Sequence, residues 1–281
     1  MPRSAARSKP LNKPMQRGAA AMAETDQATT FTEHLKELRK RLIISLAAVA
    51  VGFAVCYGFS EHLYSVLTRP LILALPEGNE FLAFTGVVEP FFVYLKVGFL
   101  GGAVVASPVV LYEIWAFIAP GLYENEKRWF FVLVMASLIL FVAGVLFAYL
   151  VVFPFAFKYL LSYARADLKP ILSMNSYFSL VTRLLLAFGV VYQLPLGMLV
   201  AARIGVVSAR QMLSWWRYAI VGVFCVAALL TPTPDIFNQL LMAGPLLVLY
   251  LVGLAVAHVF GKKKEADEVV EGIGESGDEG H

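Results

Sequence analysis

The stretch FTEHLKELRKRL, residues 31–42, sets two carboxylates, Glu33 and Glu37, among five basic or potentially basic side chains at the start of a run with no charge at all, LIISLAAVAVGFAVCYGF. Two chemistries are open to such a cluster. Basic groups beside an apolar helix fix its orientation in a membrane, and carboxylates aimed out from among them form a binding surface for a cation. Further ionisable groups lie close to later apolar runs. Glu89 and Lys96, seven residues apart at the start of one run, share a helix face; Glu113 ends that run, and Arg183 falls early in another, where a snorkelling side chain is expected. Gln193, in FGVVYQLPL, sits about 14 residues into its run, where an amide must find a partner. Asp235 closes TPTPD ahead of a last apolar run, in the place of an N-cap aspartate that satisfies the first free amides of a helix. No HExxH, GxSxG or Walker sequence occurs, and the four histidines lie outside the runs or at the end of one, so no catalytic constellation and no cofactor are expected.

The elements that must position these residues are transmembrane helices. Crossing about 30 Å of hydrocarbon at 1.5 Å per residue takes roughly 20 residues, and six runs qualify, at about 42–60, 90–115, 129–153, 179–202, 213–230 and 236–258. The fifth is short, and the sixth opens on Asn238 and Gln239, so local thinning of the bilayer is expected there. Lys36, Arg39, Lys40, Arg41, Lys127, Arg128, Arg203, Arg210, Arg217 and Lys262 to Lys264 fall on one side, twelve against four on the other (Arg69, Lys158, Arg165, Lys169), which places both termini in the cytoplasm. Pro108, Pro154, Pro195 and Pro245 lie within or at the edges of runs and predict kinks, from which a curved wall is built more readily than a straight bundle. No internal repeat is visible. This weighs against a two-halves solute transporter, the rival reading, as does the lack of paired ionisable groups at mid-membrane; a scaffold without substrate is a weaker third.

Composition agrees with an all-α integral membrane protein: 59% of the 281 residues are hydrophobic, 15% are charged, and net charge is only +3, too slight and dispersed to suggest nucleic acid. Cys56 and Cys225 stand apart in apolar runs and are expected to be small buried residues rather than a disulfide or metal pair. Residues 1–29 lack the apolar core of a secretory signal and are expected to be a disordered basic tail, or an upstream extension of a chain starting at Met22. Residues 30–260 form the membrane domain. Residues 261–281, rich in acid and glycine, are expected to be a disordered acidic tail. Within the opening stretch, Thr30 and Glu33 have capping-box spacing, Leu35, Leu38 and Leu42 form a stripe, and Glu37 precedes Arg41 by four. An amphipathic interfacial helix running into the first span is expected.

Five stretches, in this order, resemble the TatC family of twin-arginine protein translocases: HLKELRKRL, EPFFVYLK, SPVVLYEIWAFIAPGLYENEKR, FAYLVVFPFAF and LLTPTPDIFNQLLMAGPL. The resemblance covers about 31–260 and leaves both tails outside. It implies six helices in a concave, glove-like arrangement with both termini cytoplasmic, in a bacterial cytoplasmic membrane. It also implies a non-enzymatic receptor for the twin-arginine signal peptides of folded precursors, assembled with the single-span proteins TatA and TatB in an oligomeric complex that uses the membrane gradient. By motif, the acidic signal-recognition positions fall on Glu37 and Glu126, further functional positions on Arg39 and Phe117, and the acidic residue of the last outer loop on Asp235. Many relatives carry Glu where this chain has Gln193, so contact with a partner helix there would be made by a neutral amide.

Overall fold

A computed structural model describes residues 13–75, 82–84, 86–118, 127–162, 172–231 and 236–260. Helix α1, Lys13–Gly58, begins well before Thr30, so Thr30 stands inside a helix and does not cap one; the alanine-rich GAAAMAE upstream has the propensity to carry the helix on. The short α2, Ser60–Ile72, follows α1 at once and is followed by α3, Glu89–Ile118. Then come α4, Lys127–Phe147, one π turn at Ala148–Val152, and α5, Phe153–Leu161, which together make one long apolar rod. Helices α6, Met174–Val191, and α7, Leu194–Ile204, make a second, interrupted one. The chain ends in α8, Ala209–Ser214, α9, Trp216–Leu230, and α10, Ile236–Phe260.

Five of these rods are long and apolar enough to span a bilayer, and α9 is a shorter apolar helix of 15 residues, about 22 Å at the helical rise. The six-run reading therefore stands, with the fifth run the short one. Gln239 ties α9 to α10, its Nε2 donating to the Phe224 carbonyl at 3.2 Å.

Of the four prolines expected to kink a run, Pro154 and Pro195 interrupt regular helix, while α3 and α10 run on through Pro108 and Pro245. Pro154 has no N–H to return to the chain, and just before it the helix widens: the Phe153 N–H bonds five residues back, to the Ala148 carbonyl. Pro195 breaks α6 from α7 at Tyr192 and Gln193, where the Gln193 N–H turns to the Val190 carbonyl at 3.0 Å. Pro70 leaves the Val66 carbonyl of α2 without its helical donor, and the Tyr149 hydroxyl supplies one at 2.7 Å from the π turn.

Packing centres on α6, whose Phe178, Val181, Leu184 and Phe188 are completely buried among α2, α3, α4, α9 and α10. Close approach is bought with glycine. A Cβ on Gly52 of α1 would lie 2.6 Å from the Gly102 carbonyl oxygen of α3, and one on Gly144 of α4 would lie 2.6 Å from the Phe188 carbonyl oxygen of α6. Outward faces are apolar, as lipid requires: Leu35, Leu38 and Leu42 of the predicted stripe are exposed. Cys56 is buried as expected, but Cys225 is exposed on α9, because in a bilayer an apolar thiol has no need of the interior.

Candidate functional site

Three constellations of polar groups interrupt this apolar framework, one at each end and one in the middle. At the end formed by α2 and the start of α3, the Glu89 carboxylate accepts from the Asn175 N–H at 2.8 Å and from the Ser173 hydroxyl at 3.1 Å, so an acid on α3 caps the N-terminus of α6. Lys96, on the same face of α3 two turns on, donates to Asn175 Oδ1 at 2.6 Å and to the Ser179 hydroxyl at 2.8 Å. The pair shares a face, as its spacing requires, and that face is an internal clasp. A short parallel pairing beside it joins Ala83 to Ser173.

At mid-span the Gln193 amide finds its partner inside the chain. The Ser137 hydroxyl of α4 donates to Gln193 Oε1 at 2.5 Å and accepts from the Trp115 indole N–H of α3 at 2.9 Å, while Gln193 Nε2 donates to the Ser137 carbonyl at 3.1 Å. Three helices are joined by one serine that is fully buried. A lone hydroxyl in VLVMASLILF looks like a small residue; its signal was being the one serine in that run, at the depth of the one amide of the fourth run. Gln193 and Trp115 also line a concave, almost wholly apolar cavity of about 560 Å³ between α1, α3, α4 and the α6–α7 break.

At the opposite end, α1 and the end of α3 run antiparallel with two cross-links in register. His34 stacks on Phe117, centroids 4.4 Å apart, and two turns on Arg41 reaches Glu113. Arg41 donates through Nε and Nη2 to Glu37 Oε1, at 2.9 and 2.6 Å, and through Nη1 to Glu113 Oε2 at 3.0 Å. Glu37 and Phe117 thus lie at the same end of the α1–α3 pair, Glu37 beside Arg41 and Phe117 against His34. Arg39 is exposed and lies about 200° round α1 from Glu37, so it does not join them. Glu126 and Asp235 lie outside the described residues. Nearby, the Arg203 guanidinium of α7 sits 4.4 Å over the Trp129 ring of α4, closing the same end of the molecule. Among the described residues no group of acids, histidines and cysteines could hold a metal ion.

The order of helices, the break at Gln193 and the acid at the mouth of α1 can be compared with known proteins. Residues 33–245 match the family model of the Sec-independent protein translocase protein (TatC). This chain belongs to the TatC family. A TatC of Desulforapulum autotrophicum is 44% identical over 247 residues, 88% of this chain and 91% of its own length. The TatC of Escherichia coli is 39% identical over 236 residues, 84% of this chain and 91% of its own. A crystal structure of the twin-arginine translocase receptor TatC superposes with a TM-score of 0.72 at 38% identity, covering 80% of this chain and 98% of the other. The chain is therefore a multi-pass membrane protein with the TatC architecture.

Proposed function

We propose that this chain is the signal-peptide receptor and core subunit of a Sec-independent translocase, and that it binds the twin-arginine signals of folded precursors at the end of the molecule that carries Glu37 and Phe117. The observation that carries the reading is the Glu37 carboxylate, 40% exposed at the mouth of α1, with only one of its oxygens bonded to Arg41 among the described residues. A guanidinium offers a planar fork to such an acid, which a lysine ammonium cannot reproduce. Two arginines call for two carboxylates, and Glu126 is the second in this reading. An isolated exposed ion pair is worth about 0.2–1 kcal/mol, so selectivity comes from two pairs held together in a partly desolvated site. Phe117 supplies an apolar wall.

In this reading the end bearing Glu37 is cytoplasmic, as the basic asymmetry supports, both termini are cytoplasmic, and the membrane is the bacterial inner membrane. The chain is a non-enzymatic transport component that assembles with TatA and TatB helices and draws on the membrane gradient. Gln193 retains one amide hydrogen beyond its bond to Ser137 for a partner helix, and Asp235 acts in the last outer loop.

The test is binding of a labelled twin-arginine peptide to the full chain in lipid nanodiscs. Glu37→Lys and Glu126→Lys are each expected to abolish binding without loss of insertion, and a double-lysine peptide is expected to bind more weakly than the double-arginine one. Equal binding of the two peptides, or intact binding in both variants, overturns the assignment.

A further inference from the structure

Glu37 does not stand alone with its arginine. Arg41 is shared by two carboxylates on two helices, and the three differ in exposure: Glu37 is 40% exposed, Arg41 23% and Glu113 only 11%. One guanidinium cannot balance two acids, so the group as a whole carries one negative charge. The distribution of that charge follows from burial. Removing Arg41 from Glu113 would leave an acid nearly out of water without its counter-ion, whereas Glu37 reaches solvent. Arg41 is therefore shared: Nη1 is held on α3 by Glu113, the less exposed acid, and the Nε–Nη2 edge rests on Glu37 Oε1 alone.

We propose that Glu113 is a positioning residue for arginine recognition: by holding Arg41 Nη1 on α3 it leaves Glu37 Oε2, which bonds nothing among the described residues, open to an incoming guanidinium. The inference rests on the signal-peptide reading of Glu37. Without Glu113, Arg41, already bonded twice to Glu37 Oε1, would turn its fork onto both Glu37 oxygens, a guanidinium sitting where the signal's arginine must go. Glu113 would then govern the affinity of a ligand it never touches. Nothing in its sequence position suggests this, since Arg41 and Glu113 are 72 residues apart.

The experiment measures the Kd of a fluorescent twin-arginine peptide for the full chain in nanodiscs, with monodispersity checked for each variant. Glu113→Gln is expected to weaken binding about tenfold or more, the scale of one charge-assisted hydrogen bond. Adding Arg41→Gln to Glu113→Gln removes the competing cation, restores the single negative charge, and is expected to bring the Kd back to within about threefold of wild type. Glu113→Asp, which keeps the charge, is expected to bind like wild type and guards against loss of folding. If Glu37→Gln weakens binding but Glu113→Gln does not, the inference is overturned while the signal-peptide reading stands. If the double variant stays as weak as Glu113→Gln, Glu113 is a structural residue and the inference is overturned. If Glu37→Gln itself binds like wild type, the signal-peptide reading falls and takes the inference with it.

Discussion

Ser137→Ala tests whether one hydroxyl holds three helices together. The serine both donates to Gln193 and accepts from Trp115, so its removal leaves Gln193 Oε1 and the Trp115 indole N–H without these partners. Trp115 is buried and Ser137 fully so. An orphaned buried group costs about 1–3 kcal/mol in soluble proteins. Hydrogen bonds between membrane helices are worth about 0.6 kcal/mol on average and about 1.7 at most. Two orphans on that smaller scale set the expected loss at about 1–3 kcal/mol. Gln193→Leu should cost less, about 0.6–1 kcal/mol, because the Ser137 hydroxyl can then turn to the carbonyl four residues back in α4 and remain paired. The assay is reversible unfolding of the purified protein in mixed micelles titrated with a denaturing detergent. A Ser137→Ala variant no less stable than Gln193→Leu refutes the ordering, and with it the claim that the serine is the centre of the network.

Gly102→Val would place its Cβ within 2.6 Å of the Phe53 Cα, a backbone atom that cannot yield, so α1 must lift from α3 at about 1–3 kcal/mol, with weaker peptide binding as the register of Arg41 and Glu113 is lost. Gly197→Val, whose Cβ meets nothing within 4 Å, is the control and should leave stability and binding unchanged in the same two assays. For topology, cysteines introduced at 125 and 208 in a chain lacking Cys56 and Cys225 are expected to react with an impermeant thiol reagent only from the cytoplasmic side, and those at 75 and 168 only from outside; labelling of 125 from outside refutes the orientation.

What could be read from the sequence was local. The six runs, the kinks at Pro154 and Pro195, and the Glu37–Arg41 pair depend on hydropathy, a missing N–H and a four-residue spacing, all contained within one helix. The capping-box spacing at Thr30 and Glu33 misled because it says where a helix could start, and the alanines before it let the helix start earlier, at Lys13. Glu113, Ser137 and Trp115 could not be assigned their partners, because those partners are set by helix register. The register of α1 on α3 is fixed by the contact of Gly52 with Gly102, whose closeness appears only once both helices are in place. Gln193 was legible as a group in need of a partner, and its partner proved to be in the same chain.

The clasp of Glu89, Ala83 and Ser173 bears on how the protein is made. The two halves of that pairing are separated by about ninety residues, and at a synthesis rate of about 5–20 residues per second the second half emerges about 5–18 s after the first. Once α3 is complete it can lie against α1, since their contacts need nothing downstream, while Glu89 still lacks the helix end it will cap. That order of synthesis allows assembly in two steps: a first helical hairpin of α1 and α3, then the arrival of α6, anchored to it by a latch at the end opposite the Arg41 cross-link. A nascent chain stalled before residue 173 would hold the Arg41 cross-link at one end and an open latch at the other.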